Sequence, residues 1–226
     1  MDPTTLLLGA PVLLFSFVAH EYAHVYAAFK QGDPTGYQLG RLTWNPLPHI
    51  DPLMTVLLPA FLILTGAPFI FGGAKPAPVV PRNFRHYKRG DIIVSLAGVT
   101  ANVAIGLIST VLVVVLGLLG AAVPALGATC AILQRMALFG VYINFLLAAF
   151  NLLPIPPLDG SHVAKYLLPP AWALQYERIG RFGFLLLFLF LSVGQPVIAA
   201  WMRPAAQAVS IAQTTVSPYV LPVPWR

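Results

Sequence analysis

The chain has 226 residues, 58% of them hydrophobic and only 9% charged, where a soluble domain carries roughly 25% charged residues. That deficit, with a mean hydropathy of +0.80, excludes an ordinary soluble domain and points to a polytopic membrane protein folded as one bundle. The formal net charge of +6 reads as cytoplasmic loop charge rather than a nucleic-acid surface, and the single cysteine, Cys130, excludes an intramolecular disulfide and a cysteine-based metal site.

The N-terminus, Met1-Asp2-Pro3, lacks the basic residues of a cleavable signal, so the first apolar run is expected to stay in the protein. That run, about Thr4 to Phe29, is long enough to span a membrane. Near its end stands Ala19-His20-Glu21-Tyr22-Ala23-His24. On a helix, His-Glu-x-x-His puts two imidazoles on one face, about 6 Å apart along the axis. That spacing lets both reach one Zn²⁺, while Glu21 between them can act on water. About 16 residues precede His20, roughly 24 Å of helix in a ~30 Å hydrocarbon core, so the site lies nearer the exit face. Lys30 follows and marks that face as cytoplasmic.

Residues 31 to 51 are polar and turn-rich. Within them, 36–44 mixes β-formers with glycines and reads either as a short β-hairpin beside the site or as a plain loop. His49 and Asp51 read as local turn-formers. The apolar run 53–71 is long enough to span but is broken by Pro59, Gly66 and Pro68. The loop after it holds Lys75, Arg82, Arg85, Lys88 and Arg89, which belong on the same side as Lys30 and Arg41. One full crossing cannot join two loops on one side. Residues 53–71 are therefore expected to form a re-entrant or broken-helix segment, shielded by protein.

Residues 92–119 and 131–153 are clear spans, joined by an uncharged stretch that suits the outer face. The second of them ends in Asn151-Leu-Leu-Pro154-Ile-Pro156-Pro157-Leu158-Asp159-Gly160, where the prolines stop the helix. Lys165, Arg178 and Arg181 mark the next loop as cytoplasmic, and 182–201 runs back outward. The tail reads as interfacial, with Trp201, Tyr219 and Trp225 as anchors.

Two histidines do not make a zinc site; a third protein ligand is needed. The acids in or near the membrane are Glu21, Asp51, Asp91 and Asp159. Of these, Asp159 ends a span beside a proline-broken backbone. With 53–71 re-entrant, it returns to the face of His20 and His24. Asn144, inside a span, reads as a helix–helix hydrogen-bonding residue.

His20-Glu21-x-x-His24 and Asn151-x-x-Pro154-x-Pro156-x-Leu158-Asp159-Gly160 together resemble the paired motifs of the site-2 protease family, the intramembrane zinc metalloproteases. The resemblance covers residues 5 to about 165. It implies one Zn²⁺ per chain held by His20, His24 and Asp159, with Glu21 as general base. It also implies hydrolysis of peptide bonds in or near transmembrane segments of membrane proteins. Asn102 and Asn151 would lie near the site and contact the substrate. The chain departs from the family pattern once: Gly98-Val99-Thr100-Ala101-Asn102 stands where relatives often have Gly-Pro-x-x-Asn.

The expectation is thus an all-α polytopic membrane protein of about five transmembrane helices, with the 53–71 segment and the 36–44 alternative noted above. It forms one domain over 1–226, with a core at 5–165, a C-terminal helix and tail at 166–226, and no PDZ or CBS domain. Its expected partners are a transmembrane protein or peptide substrate and the lipid bilayer, not nucleic acid. The expected location is the cell membrane, with the active site nearer the cytoplasmic face. The competing reading is a non-catalytic metal-binding membrane protein, a transporter or a pseudoprotease. Glu21 argues against it, because a metal carrier needs no carboxylate between its ligands.

Overall fold

The structure, a computed structural model, describes residues 3–66 and 72–223. Among these residues every regular element is helical. The first part of the chain forms α1 (Pro3–Gln31), α2 (Thr35–Gln38) and α3 (Leu58–Leu64). Two long helices follow, α4 (Tyr87–Ala122) and α5 (Gly127–Asn151). The last part forms α6 (Asp159–Ala164), α7 (Pro170–Ile179), α8 (Gly183–Val193) and α9 (Gln195–Val216).

By length and composition α1, α4 and α5 can each cross a membrane. The protein is therefore an all-α membrane protein, and its described residues hold three such helices, or four if the bent pair at the C-terminus counts as one span, where about five were expected. α4 packs along both α5 and α1 and forms the centre of the bundle. Its buried residues Asp91, Val94, Gly98, Asn102, Gly106, Ser109, Val113, Gly117 and Gly120 recur every three or four positions, so they form one face. Most are small. Small residues let helix backbones approach closely, which drives helix association where lipid is as apolar as leucine. Leu107, Ile108, Val111, Leu112, Val115 and Leu118 lie exposed on α4 and suit lipid contact. At ~1.5 Å per residue α4 is about 54 Å long against a ~30 Å hydrocarbon core, so it extends beyond the apolar layer.

The 53–71 segment is a π-helical turn, Pro52–Leu57, that runs into α3. From Pro52 to Leu64 the helix rises about 20 Å, too little to cross alone. Residues 67–71 lie outside the described residues. Gly73 N–H donates to the Met54 carbonyl (3.1 Å) and Thr55 Oγ1 to the Gly73 carbonyl (2.7 Å), so the segment leaves and returns at one level. Asp51 caps its start: Oδ1 accepts from the Leu53 and Met54 N–H groups, both at 2.9 Å.

Of the two readings of 36–44, hairpin or plain loop, no hairpin forms. Pro34 leads into the single helical turn of α2, Gly40 turns the chain with φ 68°, and the loop then folds over α1. There Trp44 stacks on Tyr22 at 4.5 Å and on Phe15 at 5.9 Å. Nor is 182–201 one straight span. Gly194 ends α8, its N–H donating to the Phe190 carbonyl, and Pro196 in the first turn of α9 cannot continue the ladder of α8. The two helices are bent by 92° at this break.

The tail is packed rather than merely interfacial. α9 lies against α5, with Ala205, Val209 and Val216 buried. Gln134 of α5 then ties down the end. Its Nε2 donates to the Val113 and Tyr219 carbonyls (2.7 and 2.8 Å), and its Oε1 accepts from Leu221 N–H (2.8 Å). Trp225 lies outside the described residues. Gln134→Leu leaves the Tyr219 and Leu221 backbone groups unpaired, at about 1–3 kcal/mol for a buried group. The expected result is a Tm lower by about 2–12 °C, at about 2–4 °C per kcal/mol for a chain of this size, and faster proteolysis after residue 216. An unchanged Tm and digestion pattern would show that the tail is held by other contacts.

Candidate metal centre

His20 and His24 lie one turn apart on the buried face of α1, turned toward α4. Two further features of α4 position them. His24 Nδ1–H donates to the Val94 carbonyl (2.7 Å), and His20 Nδ1 lies 2.6 Å from Asn102 Oδ1. The second contact is oriented by a chain of side chains that ends at a fixed acceptor. The Gly140 carbonyl can only accept, so the Asn144 amide nitrogen faces it (2.9 Å) and also donates to Ser16 Oγ (2.9 Å). Asn144 Oδ1 then accepts from Asn102 Nδ2 (2.8 Å). Asn102 Oδ1 is left facing His20, whose Nδ1 must carry the proton. Ser16 closes the chain by donating to the Val12 carbonyl (2.8 Å).

Both imidazoles are therefore held with Nδ1 protonated and Nε2 as the lone-pair nitrogen. Those two Nε2 atoms are 3.0 Å apart, and each lies close to Asp159 Oδ2, at 3.2 Å from His20 and 3.3 Å from His24. Two lone pairs and a carboxylate oxygen facing one another repel unless a cation sits among them. A tetrahedral zinc site with bonds near 2.0–2.1 Å sets its ligand atoms about 3.3 Å apart. The three side chains thus fit zinc by donor type, tautomer and spacing, and each offers one ligand atom within 4.8 Å of the others.

Gly98 makes room for this cluster. A Cβ there would lie 2.5 Å from His20 Cε1, 2.5 Å from His24 Nε2 and 2.6 Å from His20 Nε2. Gly160 does the same for the carboxylate: a Cβ would collide with the Leu152 carbonyl, so only glycine lets α6 turn back against the end of α5. Asp159 stands in the first turn of α6. Glu21 is partly buried, and its Oε2 is buried without a hydrogen-bond partner.

His20, His24 and Asp159 come together from α1 and α6, more than a hundred residues apart, with Glu21 beside them. Asn102 is fully buried and its amide is engaged at both ends, by His20 and by Asn144. It therefore contacts a histidine rather than facing an open cleft. Asn151 donates to the Leu147 carbonyl of its own helix (3.0 Å). Val99, in place of the family proline, is buried within an unbroken α4. Sequence reasoning missed Ser16 and Gly98 and gave Asn144 only a generic role. The available signal was that Ser16 stands one turn before His20 on the same face.

A histidine pair and a carboxylate meeting inside a bundle of apolar helices define the class: a membrane metalloprotein with a hydrolytic donor set. Comparison with known proteins carries this further. Residues 115–193 match the model of Peptidase family M50. The chain is 38% identical over 180 residues to the "Putative zinc metalloprotease YwhC" of Bacillus subtilis, covering 78% of each chain. The same descriptor is given to Rip2 of Mycolicibacterium smegmatis, 30% identical over 83% of this chain and 67% of that one. It is also given to MJ0611 of Methanocaldococcus jannaschii, 28% identical over 77% and 76%. No solved structure matches the chain. The chain belongs to peptidase family M50, the site-2 protease family, and is a membrane zinc metalloprotease.

Gly98→Ala tests the close approach of α4. Alanine is the better helix former by about 1 kcal/mol, so α4 itself gains. The added methyl instead enters the space between the imidazoles. Zinc content is expected to fall about tenfold or more at unchanged helicity, read by atomic absorption and circular dichroism. Full zinc occupancy in this variant would contradict the geometry.

Proposed function

We propose that the protein is an intramembrane endopeptidase that cleaves peptide bonds in or near transmembrane segments of membrane-protein substrates, as in regulated intramembrane proteolysis. One zinc ion per chain is held by His20, His24 and Asp159, and Glu21 is the general base. The observation that carries the reading is the triangle of ligand atoms at 3.0, 3.2 and 3.3 Å next to a carboxylate with a buried, unpartnered oxygen. When bound, zinc supplies Lewis acidity, which polarises a carbonyl and makes water a nucleophile near neutral pH.

The chain's own residues do the rest. Glu21 Oε2 takes a proton from the attacking water as its oxygen bonds to the scissile carbon. It delivers that proton to the leaving nitrogen as the C–N bond breaks. The Asn102 amide and the Val94 carbonyl hold the Nδ1 protons of His20 and His24, which leaves their Nε2 lone pairs for the metal. The bundle keeps this chemistry away from bulk water, and the loop carrying Trp44 covers the α1 surface beside Glu21.

The protein works as one domain in the cell membrane. Its site lies nearer the cytoplasmic face, a reading supported by Lys30 at the end of α1 and by the basic run 75–89. The partners are a transmembrane protein or peptide substrate and the bilayer, with no nucleic acid.

The test is cleavage of a model transmembrane substrate in proteoliposomes. Glu21→Gln keeps the shape of the side chain but cannot accept the proton. It is expected to lose about 10²–10⁴-fold in rate with zinc content unchanged. Equal cleavage by this variant removes Glu21 from the mechanism. A zinc-loaded wild type that cuts no transmembrane substrate favours the non-catalytic reading.

A further inference from the structure

At the far end of the α6 segment lies a second charged cluster that the metal chemistry does not use. Asp91, near the start of α4, is 3% exposed. Lys165 Nζ lies 2.8 Å from its Oδ2, and Tyr166 Oη donates to the same oxygen at 2.7 Å. His162 Nδ1 stands 3.7 Å from Oδ1. Lys165 also reaches Glu177 Oε1 of α7 at 3.0 Å. Burial works against a charged Lys165, but Asp91 and Glu177 outweigh it and raise its pKa above the ordinary value. Burial and the Asp91 carboxylate together push the Tyr166 phenol up, so it keeps the proton it donates.

A buried ion pair is weak evidence for stability, since desolvation offsets the attraction; its best-attested use is to fix register. There is something here to fix. Asp159 follows a proline-rich, non-helical connection, and α6 has only six residues. A helix that short does not hold itself in place. Asp91 is also spaced to serve the site. It precedes Val94, Gly98 and Asn102 by three, seven and eleven residues, so all four share one face of α4. Val94 holds His24, Asn102 holds His20, and Gly98 leaves the space between the ligands.

We propose that Asp91 is a positioning residue for the zinc site. Through Lys165 and Tyr166 it sets the register of residues 159–167 on α4 and so brings the Asp159 carboxylate to the two histidines. This rests on the reading of Asp159 as a zinc ligand.

The experiment measures zinc affinity of the full chain in detergent, stripped of metal and titrated with Zn²⁺ against a competing chelator. The variants are Asp91→Asn, Lys165→Met, the double variant of those two, Tyr166→Phe and Asp159→Asn. Circular dichroism and thermal unfolding of the metal-free protein report the fold. Asp159→Asn is expected to weaken zinc most. Asp91→Asn and Lys165→Met are each expected to weaken it about 10–100-fold. Their double variant is expected to lose clearly less than the two single losses combined, because both break the same contact, and a fully additive loss counts against the pairing.

Wild-type affinity in the Asp91 and Tyr166 variants, with Asp159→Asn impaired, overturns the positioning role and leaves the ligand reading standing. A lowered unfolding temperature with unchanged affinity does the same, since it marks a merely structural cluster. Wild-type affinity in Asp159→Asn removes the ligand reading itself. Should Asp91→Asn fail to fold, Tyr166→Phe decides alone, because it deletes one hydrogen bond and keeps the ion pair. A severalfold weaker zinc affinity in that variant supports the proposal, and an unchanged one overturns it.

Discussion

The structure depends on the close approach of α4 to α1 at Gly98. Two imidazoles pointing at one another are a poor thing to bury in an apolar bundle, because their lone pairs repel and their N–H groups need acceptors. α4 meets both needs from one face. It offers a backbone carbonyl at Val94, an amide at Asn102 and, between them, a residue with no side chain. Helix periodicity does the spacing: residues 94, 98 and 102 are one turn apart, matching the one-turn separation of His20 and His24. A side chain at 98 would collide with both imidazoles and force α4 or the rings to shift.

The polar residues of the bundle follow the same logic. In lipid an unsatisfied amide or hydroxyl costs several kcal/mol, with no water to relieve it. Ser16, Asn102, Asn144 and His20 satisfy one another in a single chain that ends on the backbone at Val12 and Gly140. That chain links α1, α4 and α5, so the contacts that orient His20 also hold the three long helices in register. Site and scaffold are therefore not separable here, and a loss at Asn144 would be felt at His20, two hydrogen bonds away.

How much of this was legible in the sequence follows from what each signal measures. The two motifs pointed to His20, His24 and Asp159, which the fold brings together, because i, i+4 spacing and a carboxylate at a proline-stopped helix end are local patterns. Hydropathy found α1, α4 and α5, because it averages over a window as long as a span. The same averaging hid the break at Gly194 and Pro196, whose turn signal sat inside an apolar run. The hairpin alternative at 36–44 rested on β-forming residues, and the chain instead takes the loop alternative, with Trp44 stacked on Tyr22. Gly98 stood in the sequence only as part of a family pattern and Val94 carried no signal, because their contacts with the histidines exist only once α4 lies against α1. Asn102 was expected to contact the substrate, whereas its amide meets His20 and Asn144, since one sequence cannot say which neighbour an amide meets.

The proline-rich approach to Asp159 makes physical sense on the same terms. Asp159 must reach the histidines from a chain that has just left a helix, and irregular backbone beside a membrane carries N–H groups that need partners. Pro154, Pro156 and Pro157 have no N–H, so three of the donors that such a stretch would expose are absent from the start. One of the remaining acceptors, the Pro154 carbonyl, receives a hydrogen bond from Tyr176 Oη at 2.9 Å. Gly160 then lets the chain turn tightly under the end of α5, and the Asp159 carboxylate emerges in the first turn of α6, pointed at the histidines. The second motif is thus more than a carrier for one ligand. Its prolines lower the cost of a non-helical return path, and its glycine sets how closely that path can pass.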